Sequence, residues 1–256
     1  MLSFKDITFL EKNKKARDTQ GLFVAEGRKL FFEAPPDRIV QVLMTRRFAE
    51  EHPEAFEKIP EGADVVADID ETRFFQISDT RTPQGILTVL KKMDWRAEDV
   101  LGIACPLYAI LENLQDPGNV GTIVRTGEAA GVTAVFLTED SADLYAPKTI
   151  RSTMGSIFRV PHFLVPTGAD IARELRLRGT AVYAAHLKGR AFYTDCDLRG
   201  GSAFVIGNES RGVSAETAEA SSALIRIPML GRVESLNAAM AAGVLLYEAQ
   251  RQRRAL

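Results

Sequence analysis

Short apolar runs alternate with stretches of helical period along the whole chain. In the first part, Leu22–Ala25, Ile39–Met44, Ala63–Ala67 and Gly85–Leu90 predict strands. A helix is expected from about Arg28, and Pro53 breaks or delays another between Arg46 and Lys58. These elements predict a compact α/β unit. A polar stretch, Lys91 to Asp99, follows with the single tryptophan, Trp95, and is read as a boundary between domains at 1–95 and 104–256. Beyond it the alternation is clearer. Strands are expected at Leu107–Leu111, Ala134–Leu137, Val160–Val165, Ala181–Ala185, Ala203–Ile206 and Leu224–Ile227. Helices are expected at Asn119–Gly131, Pro147–Phe158, Ala169–Arg178 with Gly179 as the stop, and from about Leu236 to the end. Near-continuous apolar strands between helices predict a parallel sheet covered on both faces, hence an α/β fold.

Composition narrows the function classes. The 256 residues are 46% hydrophobic and 26% charged, an ordinary globular balance that can bury a real core. The 32 Lys and Arg against 34 Asp and Glu exclude a uniformly basic nucleic-acid coat, though not a local basic face. Cys105 and Cys196 cannot form a disulfide framework or a metal site alone, and two buried thiols in a reducing compartment is the favoured reading. No signal-like start and no long uncharged apolar run is present, so a cytoplasmic protein is expected.

Three segments hold chemistry. Asn113 to Arg125 reads N-L-Q-D-P-G-N-V-G-T-I-V-R, a strand end, a Gly- and Pro-rich turn and a helix start. Such a junction exposes backbone N–H groups to an anion. Arg125, six residues beyond Asn119, is placed to reach a phosphate from a similar helix face. A capped helix with a surface arginine is the bland alternative. Phe204 to Val213 takes an apolar strand into Gly207-Asn-Glu209 and then Arg211-Gly212. Strand carboxyl ends are where α/β sheets hold ligands, and Gly207 permits close backbone approach. The bland alternative there is a solvated turn. Ile227 to Asn237 reads I-P-M-L-G-R-V-E-S-L-N, with Ser235 or Asn237 able to cap the final helix. The small residues after it suit close packing against another backbone. His52, His162 and His186 lie far apart in the sequence and each reads as a surface or satisfied core residue rather than a ligand; His186, which follows an expected strand end, is the one placed to line a ligand pocket.

Taken together and in order, N-x-G-x-x-x-R at Asn119–Arg125, G-N-E-x-x-G at Gly207–Gly212 and I-P-M-x-G-x-x-E-S-L-N at Ile227–Asn237 resemble the SpoU (TrmH) family of RNA ribose 2′-O-methyltransferases, in the SPOUT superfamily. The resemblance covers about residues 107 to 250, and Pro147 to Arg159 is similar as well. In the first half, Glu26-Gly27-Arg28 and Ser78-Asp79-Thr80 to Gly85 resemble the family's substrate-binding domain, a ribosomal-protein-like RNA-binding fold. The resemblance implies a trefoil knot in the second domain, a homodimer with two-chain active sites, S-adenosylmethionine as methyl donor and no metal.

Carried over residue by residue, the resemblance implies that Asn119, Arg125, Glu209, Ser235 and Asn237 form the catalytic group. It implies that Leu187, Ile206, Gly207, Ile227, Met229 and Leu236 hold the donor. A guanidinium stays protonated, so Arg125 is expected to hold the target phosphate and stabilise the developing alkoxide. Asn119 and Asn237 would orient Arg125 or the ribose, Glu209 a neighbouring donor, and Ser235 the hydroxyl. Among basic residues, Lys12, Lys14, Lys15, Arg17, Arg28 and Lys29 in the first half, with Arg151 and Arg159 in the second, are expected to meet RNA phosphates. The end Arg251–Arg254 is read as a solubilising helix end. Ribosomal RNA is the favoured substrate, with transfer RNA next. A ribosomal RNA methylase protecting against an antibiotic, and a non-catalytic RNA-binding protein of the same fold, are further readings. A nucleotide-binding oxidoreductase lacks its GxGxxG fingerprint here.

Overall fold

The computed structural model describes residues 1–254. The described chain forms two compact units, Met1–Asp94 with Asp143–Phe158, and Trp95–Ala142 with the chain from Arg159 onward.

The first unit runs α1 (Phe4–Lys12), α2 (Lys14–Gln20), β1 (Leu22–Glu26), α3 (Arg28–Glu33), β2 (Ile39–Thr45), α4 (Arg46–Glu51), α5 (Ala55–Lys58), β3 (Asp64–Ile69), α6 (Glu71–Ile77) and β4 (Ile86–Lys91). Its sheet has the order β1-β4-β2-β3, antiparallel except for the parallel β2–β3 pair. Ile7, Leu10, Val24, Leu43, Phe74 and Leu87 pack into one core. Pro53 does separate two short helices, α4 and α5. Three helices escape the sequence pattern. α1 begins in a capping box in which Ser3 and Asp6 satisfy each other's backbone N–H groups. α2 starts on Asn13, whose side chain accepts from the Ala16 N–H, and α6 on Asp70, which accepts from the Arg73 N–H. These caps, rather than long apolar stripes, define the helices.

The Glu26 and Ser78-Asp79-Thr80 motifs form a clasp. The Glu26 carboxylate accepts from Ser78 Oγ at 2.6 Å, Thr80 Oγ1 at 2.7 Å and the Asp79 N–H at 3.1 Å. The Gln84 side chain likewise accepts from the Arg28 N–H at 2.8 Å.

The second unit begins with α7 (Ala97–Leu101), β5 (Leu107–Leu111), α8 (Pro117–Ala130) and β6 (Ala134–Thr138). The chain then enters the first unit for α9 (Pro147–Thr153), where Phe23 meets the Tyr145 ring at 4.8 Å and the Phe158 ring at 6.5 Å. The helix expected over Pro147–Phe158 stops early. Met154 and Gly155 take φ of 52° and 98°, and only a single 3-10 turn, Ser156–Phe158, follows. Glycine suits position 155, because L side chains rarely adopt its φ of 98° and a Cβ would also displace the Glu33 carboxylate.

The chain returns for β7 (His162–Val165), α10 (Gly168–Leu177), β8 (Ala181–Ala185), β9 (Ala191–Phe192), β10 (Ser202–Ile206), α11 (Ala215–Ala220), β11 (Ala223–Arg226) and α12 (Ala238–Arg254). The sheet order is β7-β6-β5-β10-β8-β11-β9, and every pairing is parallel. The central strands β5, β6 and β10 are buried at every position, as strands covered on both faces must be. Helix α8 starts at Pro117, two residues before the expected Asn119. Asp116 is the N-cap, accepting from the Asn119 N–H at 2.9 Å, and proline suits the first helical position. Gly131, at φ 80°, ends it. Helix α12 packs on α8, where Gly243 faces Thr126 at contact distance.

Two expectations are corrected. Cys105 is exposed and Cys196 half-buried, and both thiols are free, because Cys105 lies in the turn before β5 rather than in the core. The basic chain end is also not merely solubilising. Arg253 donates to four carbonyls, those of Leu198 at 3.0 Å, Cys105 at 3.1 Å, Pro106 at 2.9 Å and Gly200 at 2.6 Å, and pins α12 to two loops. No helix among the described residues is long and apolar enough to cross a membrane.

Candidate active site

Because β5, β10, β8 and β11 are parallel neighbours, the segments leaving their carboxyl ends share one edge of the sheet. These segments are 112–119, 207–214, 186–190 and 227–237. The three sequence motifs therefore meet there, although they lie far apart in the chain.

Within that edge a chain of hydrogen bonds joins three of the expected catalytic residues. The Asn237 side-chain amide donates to Asn119 Oδ1 at 2.9 Å, and Asn119 Nδ2 donates to Glu209 Oε1 at 2.9 Å. A carboxylate only accepts, so Glu209 fixes which end of the Asn119 amide faces it and leaves Oδ1 for Asn237. Asn237 Oδ1 in turn accepts from the Ala239 and Met240 N–H groups, at 2.9 and 3.3 Å. Asn237, not Ser235, is thus the cap of α12. Glu209 also accepts from the backbone N–H of Gln115 at 3.2 Å and of Asp116 at 3.4 Å. Burial works to raise its pKa. The bonds from Asn119, its own backbone, Gln115 and Asp116 outweigh burial, and the carboxyl stays below its ordinary range.

The turn that presents Glu209 is built by residues the motif reading left unassigned. Asn208 donates to the Asn113 carbonyl at 2.8 Å and accepts from the Ser210 and Arg211 N–H groups at 2.9 and 3.0 Å. Asn113 itself sits at φ 54°. Glu112, buried at the end of β5, accepts from the Ser214 N–H at 2.8 Å, from Ser214 Oγ at 2.7 Å and from the Thr217 hydroxyl. It anchors the far end of the same loop. The signal for both was present in their motifs, in a carboxylate directly after an apolar strand and an Asn after a glycine. Gly207 has a role other than ligand approach: a Cβ there would strike the backbone of Gly212 and Val213, so the loop can fold back on itself only with glycine.

Arg125 is exposed on α8 and makes no hydrogen bond or ion pair among the described residues. Six residues place it roughly 120° around the helix from Asn119, so the two do not share a face. Ser235 is exposed and likewise unpaired. The positions expected to hold the donor lie on or next to the segments that leave the carboxyl ends of β8, β10 and β11. Gly207 follows the buried Ile206; Leu187 is exposed beyond β8; Ile227 and Met229 are half-buried beyond β11, and Leu236 lies before α12. The His186 backbone N–H donates to the Ile225 carbonyl at 2.9 Å, and a Cβ on Gly189 would lie 2.6 Å from the Ile225 carbonyl carbon. The loop after β8 is therefore pressed against the end of β11. Glycine turns and exposed or half-buried aliphatic side chains therefore lie on neighbouring segments of this edge. Among the described residues no group of three His, Cys, Asp or Glu side chains is arranged to hold a metal ion.

Four of the eight expected RNA contacts are engaged by acids within their own unit, while Lys12, Lys14 and Lys15 are exposed and in no ion pair among the described residues. Lys29 pairs with Glu33 at 3.6 Å, Arg151 with Asp79 at 2.8 Å, Arg17 with Asp143, and Arg159 with Glu128. Arg28 lies over the Phe32 ring at 5.7 Å. Arg151 belongs to the first unit, because the 143–158 segment packs there.

A parallel sheet with three loop motifs brought together at its carboxyl edge, and a hydrogen-bonded Asn–Asn–Glu chain across them, defines an α/β protein with a polar site at its strand ends. Residues 106–247 match the SpoU rRNA methylase family, and residues 3–88 match the MRM3-like substrate-binding domain. The chain belongs to the SpoU rRNA methylase family. It is 32% identical, over 91% of its length and 90% of the other's, to the 23S rRNA (guanosine(2553)-2′-O)-methyltransferase RlmP of Bacillus subtilis. It is 37% identical to the 23S rRNA (guanosine-2′-O-)-methyltransferase RlmB of Xanthomonas axonopodis over 57% of this chain, and spans 59% of that relative. The crystal structure of an AdoMet-bound rRNA methyltransferase from Sinorhizobium meliloti superposes with a TM-score of 0.85 at 33% identity, over 97% of this chain and 94% of that one.

Proposed function

We propose that the protein transfers a methyl group from S-adenosylmethionine to a ribose 2′-hydroxyl of ribosomal RNA. The observation that carries the reading is the Asn237–Asn119–Glu209 chain at the carboxyl edge, in a family whose relatives are named for this reaction on 23S rRNA. Leu187, Ile206, Gly207, Ile227, Met229 and Leu236 would hold the donor, which supplies a methyl already activated on a sulfonium.

The chain's own residues then have separable tasks. A ribose hydroxyl is a weak acid, and attack requires its proton to be weakened or lost in the transition state. Arg125, exposed and unpaired, binds the target phosphate and stabilises the developing alkoxide. Glu209 locks the Asn119 amide, and Asn119 with Asn237 orients the ribose. Ser235 positions the hydroxyl.

Arg125 turns away from the Asn119 face, which supports an active site completed by a second copy. Exposed Leu230, Val233, Met240 and Tyr247 along 227–237 and α12 supply apolar surface for such a homodimer. The trefoil knot and the RNA-binding role of the first unit belong to the same reading, as does a cytoplasmic location.

The test is transfer of labelled methyl into RNA from cells lacking the protein, separated into ribosomal and transfer fractions. Alkali-resistant labelled dinucleotides in the ribosomal fraction are expected. Label in transfer RNA alone would move the substrate, and no transfer with no donor binding would leave a non-catalytic RNA-binding protein. Arg125→Ala is expected to lose turnover and keep donor binding; normal turnover would defeat its assignment.

A further inference from the structure

The carboxyl edge of the second unit carries basic side chains that are in no ion pair among the described residues. The segments 186–195, 207–214 and 226–237 contain Lys188, Arg190, Arg211, Arg226 and Arg232, set against Asp195, Glu209 and Glu234. All five basic side chains are exposed, and none is in an ion pair among the described residues. Two of the three acids are occupied: Glu209 by the N–H groups already described, and Asp195 by the Phe192 N–H at 3.3 Å. This contrasts with Lys29, Arg151 and Arg159, each held by a carboxylate.

The topology concentrates three of these cations at one end. β9 and β11 are parallel, with Ala191 opposite Ile225 and Phe192 opposite Arg226. Gly189 is pressed on the backbone of Ile225 and Arg226, so Lys188 and Arg190 flank the same point of the ladder. The Arg226 guanidinium lies over the partly exposed Phe192 ring, 4.5 Å from its centroid. The ring holds the guanidinium in place without consuming its N–H edges, which remain available to phosphate oxygens.

We infer that the RNA backbone crosses the β11–β9 end of this edge, with its phosphates on Lys188, Arg190 and Arg226. The inference rests on the RNA substrate of the proposed function and names the surface that receives it. Phosphate contacts position RNA without reading its sequence, so this surface sets affinity and register, and base choice lies elsewhere.

The experiment uses the full chain, with an in vitro transcript of large-subunit ribosomal RNA as the probe. Association constants are measured across a KCl series for the wild type, Arg190→Gln/Arg226→Gln, Arg190→Lys/Arg226→Lys and Arg159→Gln. Each phosphate contact on a single strand contributes a slope of about 0.7 in log K against log salt, so the Gln pair should lower the slope by about 1.4. At 0.1 M salt that corresponds to about 25-fold weaker RNA binding. The Lys pair should keep most of the slope, Arg159→Gln should change little, and donor affinity should be unchanged throughout. An unchanged slope in the Gln pair, or a loss accompanied by lost donor binding and not restored by lysine, overturns the assignment of this surface. A wild type that methylates RNA while the Gln pair keeps its slope sinks only the surface. A wild type that binds donor but neither binds nor methylates RNA sinks the function reading itself.

Discussion

Substituting Glu209 by Gln tests whether this residue acts through Asn119. The carboxylate receives Asn119 Nδ2 at 2.9 Å and Asp116 N–H at 3.4 Å on one oxygen, and Gln115 N–H at 3.2 Å on the other. Glutamine offers one acceptor and one NH2 to the same three donors. Whichever way it turns, an NH2 faces an N–H, and the remaining bonds lose their ionic character. Hydrogen bonds to a charged group contribute about 1.5–3 kcal/mol each when buried, and solvent access at this edge brings the loss of alignment to roughly 1–2 kcal/mol. If that alignment is felt in the transition state, kcat should fall about 5- to 30-fold. Donor affinity should change less than twofold, because the Glu209 side chain faces Asn119 and the Gln115–Asp116 backbone, while the turn that carries Gly207 is held by Asn208. The assay is single-turnover methyl transfer combined with a double-mutant cycle against Asn119→Ala. If Glu209 works by orienting Asn119, the double variant is no slower than Asn119→Ala alone, and the coupling is about 1–2 kcal/mol. Additive losses would refute the reasoning and give Glu209 an independent contact with substrate. The pH response has a definite sign. The folded pKa of Glu209 is depressed, so the arrangement is complete above the ordinary carboxylate range and is lost only as pH falls through the lowered value. The Gln variant should show no such acid limb.

Arg253→Ala removes the donor shared by four carbonyls and should destabilise the second unit by about 2–4 kcal/mol, a fall of several degrees in Tm. A shift under one degree in differential scanning would show that water replaces the guanidinium. Gly207→Ala should displace the 207–212 turn and weaken donor binding at least tenfold by calorimetry, since its Cβ meets the Gly212–Val213 backbone. In the first unit, burial, then Glu26 and Asp79, push the Glu11 pKa up to about 8, and its Oε1 has no partner. A raised carboxyl pKa means that the folded state holds the proton longer. Stability from this group is therefore full below the ordinary value and lost as pH rises toward about 8. Glu11→Gln should flatten that decline and leave the variant more stable than wild type at pH 8.5, by on the order of 2 kcal/mol. Matching Tm-against-pH curves for the two proteins would contradict the burial argument.

The strands of the second unit were legible because each is buried on both faces, and an unbroken run such as Leu107–Leu111 or Ala203–Ile206 has few alternatives. Loop motifs at strand ends were legible for a related reason: Gly207 and Asn237 hold positions where a close backbone approach or a helix cap tolerates few residue types. Helices α1, α2 and α6 were not, because short helices depend on caps and on the core they meet more than on a long stripe. The start of α8 was misjudged by two residues, since Asp116 and Asn119 are both credible caps until the Asn119 side chain is seen to be committed to Glu209.

Periodicity and motif order alone settle the main strands of the second unit, its parallel sheet and the residue types of the active edge, because these depend on local spacing and burial. Tertiary structure alone decides which charges are available. Arg151 and Arg159 read as free cations in the chain, yet each lies against an acid dozens of residues distant, while Lys188, Arg190 and Arg226 stay unpaired. It likewise decides that residues 143–158 leave the unit their flanking strands build. It joins Asn119, Glu209 and Asn237, which the chain separates by up to 118 positions, into one hydrogen-bonded line. The physical reason is the same in each case. Pairing energies depend on distance through space, and a linear pattern shows only the distance along the chain.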